Sequence, residues 1–167
     1  LNEHLGNPAA AVEAYRRALE VNPDSVAVLR KLLNIYTQSQ MWTDAVQVLI
    51  RISDLEQDAG RKGKYCYTIA VIFRDEIGDV ARAVEFFNRS LDNDLSQLKA
   101  FEAIDRLLTQ ARAWKDLERS YRKMLHRVKD MPKTPELDGL NLLLWKNLGE
   151  IYRSRQGNYE AAIEAYK

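Results

Sequence analysis

The chain has 167 residues, of which 46% are apolar types, with seven glycines and four prolines. This composition is sufficient to bury a core, and it contains too few helix-breaking residues for an all-β fold. No run of about eighteen apolar residues occurs and no charged-then-apolar leader opens the sequence, so neither a transmembrane helix nor a signal peptide is expected. The formal net charge of +1 points to no particular partner.

Along the chain, apolar residues recur at the spacing of an amphipathic helix. The spacing i, i+3, i+4 and i+7 places side chains on one buried helix face. It occurs in three stretches: Val12, Tyr15 and Leu19; Val48, Leu49, Ile52 and Leu55; and Val84, Phe87 and Leu91. Asn7 and Asp79 suit N-cap positions, and Pro23 ends one predicted helix before Asp24 or Ser25 caps the next. Thr134–Pro135 places a proline at the first turn of another predicted helix, where its missing N–H costs nothing. The sequence therefore predicts a series of helices joined by short turns.

One pair of positions recurs five times: a small residue, followed four places later by an aromatic or apolar residue. The pairs are Ala11 and Tyr15, Ala45 and Leu49, Ala83 and Phe87, Leu117 and Tyr121, and Ala162 and Tyr166. Their first members are separated by 34, 38, 34 and 45 residues. In the fourth pair, Leu117 takes the place of the small residue.

The two longer spacings are assigned to turns and loops. One extra residue fits a longer turn at Phe73–Gly78, and another fits a longer turn at Tyr152–Gly157. The remaining residues fall at Asp58–Gly63, where two glycines interrupt the helical pattern, and at Lys129–Leu140, where two prolines do so. We therefore expect a loop at each of these two places.

The clearest motif stands at the end of the chain. From Trp145 the sequence reads W-K-N-L-G-E-I-Y, and the motif continues at Gly157, Tyr159, Ala162 and Tyr166. This pattern resembles the tetratricopeptide repeat, a pair of helices with a period of roughly 34 residues. Weaker forms of its first half occur at Leu29, Leu32, Leu33 and Tyr36, at Cys66, Ile69, Ala70 and Phe73, and at Phe101, Ile104 and Leu108. In the last of these, Asp105 replaces the small residue of the pattern.

The resemblance implies an all-α fold, a right-handed α-solenoid of stacked antiparallel helix pairs in which each repeat buries its apolar face against the next. It covers residues 1–167 as a single array, which we expect to be a fragment of a longer protein. The expected repeats are 1–25 (partial), 26–62, 63–97, 98–131 and 142–167 (partial), with 132–141 as an inter-repeat loop. The pattern also places Cys66 and Trp145 in the core, and Trp42 and Trp114 between helices.

The resemblance implies a protein–protein interaction scaffold or adaptor, whose first helices line a concave groove for a partner peptide. The helical register assigns ten residues to this groove: Arg30, Lys31, Asn34, Lys64, Tyr67, Arg74, Lys99, Arg106, Lys146 and Arg153. Eight of them are cations, against three anions on the same wall, Asp75, Glu102 and Glu150. A concave surface of one sign attracts an oppositely charged ligand, which favours an acidic peptide or a C-terminal carboxylate. An ordinary solvated helix face explains the same charges, and both interpretations stay open.

Two other functions are consistent with a helical repeat: a regulatory or substrate-recruiting segment of a larger enzyme, and an RNA-binding module. Within the chain no catalysis is expected, because His4 and His126 lie in different repeats with no nucleophile at a suggestive spacing. The basic run Arg119–Lys129 contains Tyr121, which the pattern assigns to the core and not to base stacking. No cofactor, metal ion, nucleic acid or membrane insertion is expected.

The ends of the array are a further expected contact surface. In a repeat array, Ile163 and Tyr166 normally meet a following helix, so we expect self-association through this end of the chain. The sequence specifies neither the partner, the pathway nor the oligomeric state. A soluble chain is expected, and the compartment stays open with the cytoplasm slightly favoured.

Overall fold

The computed structural model describes residues 7–156 and 159–166, and this part of the chain is helical without any β-strand. Its elements are α1 (Pro8–Val21), α2 (Val26–Gln38), α3 (Trp42–Leu55), α4 (Ala59–Ile72), a first π-turn (Phe73–Ile77), α5 (Val80–Asn93), α6 (Leu98–Gln110), α7 (Trp114–Lys129), α8 (Pro135–Ile151), a second π-turn (Tyr152–Gln156) and α9 (Tyr159–Tyr166). The predictions for His4 and Gly157, and those for the side chains of Tyr159 and Ala162, lie outside the described residues.

Within each compact unit of this chain, consecutive helices pack against one another. The chain divides into two compact units, one ending at Asp94 and one beginning at Leu95. In the first unit α1 packs on α2, α2 on α3, α3 on α4 and α4 on α5; in the second, α6 packs on α7, α7 on α8 and α8 on α9. Each helix therefore buries its apolar face against its neighbours in sequence, which is the arrangement of a helical solenoid. The predicted all-α solenoid fold class is confirmed.

The core of the first unit consists of residues that the repeat pattern predicts to be buried. The cluster between α2 and α3 contains Leu29, Leu32, Tyr36, Ala45, Val48 and Ile52, and α1 packs Val12, Tyr15 and Leu19 against it. Ala45 and Ala83 have no exposed surface. A small side chain at this position lets two helices approach closely, so that the large side chains around it are removed from water. The burial of each large apolar side chain contributes about 1.5–3 kcal/mol to the free energy of folding.

The second unit repeats this arrangement with aromatic residues in its centre. Its buried side chains include Phe101, Ile104 and Leu108 of α6, Leu117 and Tyr121 of α7, and Leu144 and Leu148 of α8. The rings of Phe101 and Tyr121 meet edge to face, with their centroids 5.0 Å apart. The ring quadrupoles favour this geometry, and the contact links α6 to α7. Tyr121 occupies the repeat position that Phe87, also buried, occupies in the first unit.

The predicted loop at Asp58–Gly63 is wrong, because α4 already begins at Ala59. Asp58 caps this helix, and its carboxylate accepts a hydrogen bond from the Arg61 amide at 2.7 Å. Gly63 is buried, and its carbonyl accepts a hydrogen bond from the Ser90 hydroxyl of α5 at 2.8 Å. Tertiary packing overrides the low helix propensity of glycine here, since α4 and α5 approach each other at this point.

The predicted inter-repeat loop at 132–141 is also wrong beyond residue 134. Helix α8 begins at Pro135, and the connection after α7 covers only Asp130–Thr134. The Thr134 hydroxyl accepts a hydrogen bond from the Leu137 amide at 3.2 Å. Proline suits the first helical position because its missing N–H has no intrahelical partner there. The additional residues therefore lengthen α8 to 17 residues, compared with 13 for α6.

The extra residue predicted in each of two turns forms part of a π-helical turn at the end of a helix and does not lengthen a loop. In the repeats of ordinary spacing, the Met41 amide donates to the Tyr36 carbonyl at 2.8 Å, and the Ala113 amide donates to the Leu108 carbonyl at 3.0 Å. Each of these bonds spans five residues. The corresponding bond after α4 runs from the Asp79 amide to the Phe73 carbonyl at 2.9 Å and spans six. A one-residue insertion absorbed within a helix forms a π-helical turn, and the second π-turn follows α8 in the same way.

Gly63 provides a direct test of the contact between α4 and α5. A Cβ atom at Gly63 would lie 2.8 Å from the Asp94 Cβ and 3.3 Å from the Ser90 carbonyl oxygen. We expect Gly63→Ala to lower the free energy of unfolding by about 1–3 kcal/mol, because the two helices must separate. Gly60→Ala is the matched control on the same helix. Its Cβ would meet only the Asp58 carboxylate at 3.4 Å, and we expect a gain of up to about 1 kcal/mol. Urea unfolding followed by circular dichroism measures both; equal effects of the two substitutions would contradict the close approach.

Candidate functional site

Polar side chains that are exposed or half-buried lie on the first helices of the first unit, α2 and α4, and on the π-turn that follows α4. We call this the α2–α4 surface; it consists of Arg30, Lys31, Asn34, Lys64, Tyr67 and Arg74. The guanidinium of Arg30 donates a hydrogen bond to the Tyr65 hydroxyl at 3.5 Å, which links α2 directly to α4. The structure therefore brings the six residues that the sequence assigned to the groove in this unit onto two neighbouring helices.

The cations of the α2–α4 surface differ in how their charge is compensated. Arg74 forms two hydrogen bonds to the Asp75 carboxylate, at 2.6 and 2.7 Å. The hydrogen bond from Arg74 lowers the pKa of the Asp75 carboxyl below its ordinary value. Among the described residues, by contrast, no carboxylate pairs with Arg30, Lys31 or Lys64. The positive charge that remains available on this surface is therefore that of these three residues.

Aromatic rings lie beneath these cations. Tyr67 is half-buried and meets the buried Phe87 ring edge to face, with a centroid distance of 5.4 Å. The Arg74 guanidinium lies 5.8 Å from the centroid of the same Phe87 ring. On α2, the Lys31 ammonium lies 5.7 Å from the centre of the Tyr15 ring. Such contacts hold a long cationic side chain over the helix surface, and they give the α2–α4 surface an apolar base under its charges.

In the second unit, the predicted groove residues are exposed on α6, on α8 and on the second π-turn. Lys99 and Arg106 lie two turns apart on α6, and Lys146 is exposed on α8. Arg153 donates to the Glu150 carboxylate at 2.6 and 2.9 Å. Arg153 occupies the same place in the second π-turn as Arg74 in the first, and each pairs with a carboxylate on its own segment.

A polar cleft of about 340 Å³ opens between α6, α7 and α8 in the second unit. Its lining consists of Asp105, Thr109, Trp114, Leu117, Tyr121, Asn147, Glu150, Ile151 and Ser154. None of Lys99, Arg106, Lys146 and Arg153 lines it. The polar groups of this cleft are therefore carboxylates, an amide and hydroxyls beside apolar side chains, whereas Lys99, Arg106, Lys146 and Arg153 lie outside its lining.

Asp105, which replaces the small residue of the repeat pattern, accepts a hydrogen bond from the Tyr121 hydroxyl at 3.1 Å. Asn147 donates to the same hydroxyl at 3.4 Å. Burial and the neighbouring Asp105 carboxylate raise the pKa of the Tyr121 phenol to about 12. At the corresponding place in the last repeat, a Cβ atom on Gly149 would lie 2.8 Å from the Tyr166 ring. The repeat thus accommodates its aromatic residue either with a glycine or with a hydrogen-bond acceptor.

The prediction that Trp145 is a core residue is wrong, because 43% of its surface is exposed. The ring lines an open cleft between α7 and the lengthened α8, instead of being covered by a neighbouring helix. Trp42 and Trp114, which the sequence places between helices, are half-buried. The sequence analysis did not identify Tyr65 as a link between α2 and α4. Its position next to Lys64, a predicted groove residue, was the one indication that it lies near this surface.

The remaining candidate residues show no arrangement for chemistry. Cys66 is buried, as predicted, and its sulfur lies 3.6 Å from the Ser53 hydroxyl oxygen. His126 is exposed on α7. In the part of the chain that the structure describes, no three histidine, cysteine, aspartate or glutamate side chains are grouped to hold a metal ion. Of the helices described, none is both long and apolar enough to cross a membrane.

Helix pairs that bury one face against their neighbours and expose their first helices define a class of helical-repeat, protein-interaction modules. The chain matches models of the tetratricopeptide repeat over residues 4–62 and again over residues 144–167. The chain therefore contains tetratricopeptide repeats in these two segments.

Several solved structures are similar to this chain at low sequence identity. The crystal structure of MamA is 15% identical and aligns over 93% of this chain and 82% of its own, with a TM-score of 0.48. YrrB, described as a TPR protein with an unusual peptide-binding site, is 15% identical over 95% of this chain and 74% of its own, with a TM-score of 0.48. Pseudomonas aeruginosa pilF is 18% identical over 91% of this chain and 64% of its own, with a TM-score of 0.44. Among the curated proteins, no relative matches this sequence.

The Tyr121–Asp105 pair predicts a specific dependence of stability on pH. Because the folded-state pKa of Tyr121 is raised above its ordinary value of 10 to about 12, its contribution is complete below pH 10 and is lost as the pH rises through 12. At neutral pH we expect Tyr121→Phe to lower the free energy of unfolding by about 1 kcal/mol, because Asp105 loses a donor. Between pH 10 and 12 the difference between the two proteins should shrink.

Phenolate absorbance of the folded protein tests the same pair independently. The titration of the variant should lack one phenol that ionises near pH 12 in the parent protein. A difference titration centred on the ordinary value of 10 would show that neither burial nor Asp105 holds the Tyr121 proton.

Proposed function

We propose that this tetratricopeptide repeat protein acts as a scaffold or adaptor, and that its α2–α4 surface binds an acidic segment of a partner protein. The observation that carries the proposal is the set of exposed cations, Arg30, Lys31 and Lys64, on two adjacent first helices without a carboxylate partner among the described residues. Charges of one sign on one surface raise the local concentration of an oppositely charged segment and accelerate its association.

Charge alone gives such a surface little affinity, because an exposed ion pair contributes only about 0–1 kcal/mol. The α2–α4 surface also offers groups for a peptide backbone and for apolar side chains. The exposed amide of Asn34 both donates and accepts hydrogen bonds, as an extended peptide requires. The half-buried ring of Tyr67 provides apolar contact area beside Lys64. Together these groups fit a segment in which acidic and apolar side chains alternate.

The groove residues of the second unit are part of the proposal as a separate surface. Lys99 and Arg106 share one face of α6, being seven residues apart, and the same spacing relates Lys146 and Arg153. The polar cleft beside them carries Asp105 and Glu150, so the surface of this unit combines both signs of charge. The preference for an acidic partner therefore rests on the first unit.

The alternatives have less support from the structure. In the basic run Arg119–Lys129, Tyr121 is 4% exposed and is not free to stack on a base; nucleic acid is therefore not part of the proposal. A role as the recruiting segment of a larger enzyme would use the same α2–α4 surface. Self-association is a second proposal, which is supported by the exposed side chains of Ile163 and Tyr166 on α9.

A charge-neutralising double variant tests the α2–α4 surface. We expect Arg30→Gln with Lys64→Gln to weaken the binding of a short fluorescein-labelled Glu–Ser peptide several-fold, and the effect to shrink as salt is added. The matched control is Arg17→Gln with Arg89→Gln, which removes the same charge from exposed positions on α1 and α5 of the same unit.

Fluorescence anisotropy at low and high ionic strength measures the affinities, and a Lys–Ser peptide controls for non-specific binding. If the control pair weakened binding as much as the surface pair, overall charge and not this surface would be responsible. Unchanged binding of the Glu–Ser peptide to the Arg30→Gln, Lys64→Gln protein at low salt would also contradict the proposal.

A further inference from the structure

A second cleft, of about 450 Å³, lies in the second unit between the last turns of α7, the connection Asp130–Thr134 and the first turns of α8. We call it the α7–α8 cleft. It shares no lining residue with the polar cleft between α6, α7 and α8. None of the ten predicted groove residues lines it either, so its function has to be argued from its own side chains.

The residues that exceed the ordinary repeat length build this cleft. Helix α8 has 17 residues and α6 has 13, and the additional turns supply Leu137 to the lining. These turns extend alongside the end of α7, so that Trp145 faces an open space and not a packed core. A repeat of ordinary length, such as the one that begins with α6, has no such extension.

The interior of the α7–α8 cleft is apolar and incompletely covered. Val128 is buried and lies at its base, whereas 43% of Trp145 and 40% of Met131 are exposed. Exposed tryptophan and methionine beside a buried floor are typical of binding surfaces, because both side chains gain much contact area at small entropic cost or adapt to the shape of a ligand. The volume admits one or two large side chains of a partner.

The rim of the α7–α8 cleft is basic. Lys129 and Lys133 line it together with His126, against the single carboxylate of Asp138. Within the described part of the chain, neither lysine forms an ion pair. Basic residues in the last turn of α7 also stabilise the helix dipole, which accounts for Lys129 but not for Lys133, which lies beyond the helix. The rim therefore complements a negatively charged segment.

We propose that the α7–α8 cleft binds a partner segment in which one bulky apolar side chain is flanked by carboxylates. The apolar side chain packs between Trp145, Met131 and Leu137, and the carboxylates pair with Lys129 and Lys133. This site is independent of the α2–α4 surface: it lies in the other unit and depends on an apolar anchor as well as on charge.

Binding can be followed at Trp145 itself in the full chain. The protein has three tryptophans, so its indole N–H groups give few nuclear magnetic resonance signals, and Trp145→Phe assigns the relevant one. The probe is a capped peptide with the sequence Asp-Asp-Leu-Phe-Asp-Asp. Control peptides replace either the aspartates by lysines or the Leu-Phe pair by Ser-Gly. We expect only the first peptide to shift the Trp145 signal, and the affinity to fall with added salt.

Two substitutions separate the proposed contacts from general effects on folding. Lys133 lies just before the start of α8, where an acidic residue is compatible with the helix dipole. We expect Lys133→Glu to weaken the binding of the probe peptide several-fold. Trp145→Ala removes the reporting signal, so its binding is measured by the fluorescence anisotropy of a fluorescein-labelled form of the same peptide; we expect the affinity to fall about tenfold, because an interface anchor is lost. Lys115→Glu in the first turn of α7 is the matched control with the same charge change, and it should bind the probe like the parent protein.

Three results would overturn the proposal. The first is a Trp145 signal that none of the peptides moves. The second is equal binding of the Lys133→Glu and parent proteins. The third is a signal that depends on protein concentration without peptide, which would show that a second copy of the chain occupies the cleft. Arg30→Gln with Lys64→Gln should leave this binding unchanged. The proposals for the α7–α8 cleft and for the α2–α4 surface are therefore tested separately.

Discussion

Close contact between neighbouring helices is the constraint on which the rest of the structure depends. The contacts are made where the side chain is small or absent: Ala45 and Ala83 have no exposed surface, and Gly63 and Gly149 leave no room for a Cβ atom. Around these points the large apolar side chains of both helices are buried, and this burial contributes most of the stabilisation of the folded state. A helix pair in this fold cannot bury its apolar face alone. The register of each helix against the next is therefore fixed, and with it the face that remains exposed.

Insertions in this chain are accommodated without breaking those contacts. Extra residues before α4 and α8 lengthen the helices at their first turns, and one extra residue after each is absorbed in a π-turn. The longest insertion changes the surface, because the first turns of α8 lie beside α7 and Trp145 lines an open cleft there. The departures from the regular repeat thus create surfaces that a regular array would lack.

The fold class could be predicted from the sequence, because the small and aromatic positions recur in register through the whole chain. The positions of the loops could not. The Thr134–Pro135 pair indicates a helix start in the sequence, and the structure confirms it; the loop expected over 132–141 is wrong beyond residue 134. Glycine weakens a helix unless a neighbour approaches closely, and Gly63 is helical because α5 lies against it. The helical state of Gly63 thus depends on a contact between segments, which a linear pattern does not contain.

The candidate site was predictable to a similar degree. Helical register identified the side chains of the α2–α4 surface, since residues of one face recur every three to four positions. Register cannot show that Arg74 is compensated by Asp75, or that Arg30 is held by Tyr65, because these pairs depend on side-chain positions. It also could not show the exposure of Trp145, which depends on whether a neighbouring helix covers the ring.

Native-state hydrogen exchange of a Leu29→Ala variant tests most directly whether the helices are stabilised by their immediate neighbours. Leu29 has no exposed surface and lies in the cluster between α2 and α3. Nearest-neighbour stabilisation predicts that protection falls most in α1, α2 and α3 and falls progressively less in α4 and α5. An equal loss of protection in all five helices would show instead that this unit is stabilised by one shared core.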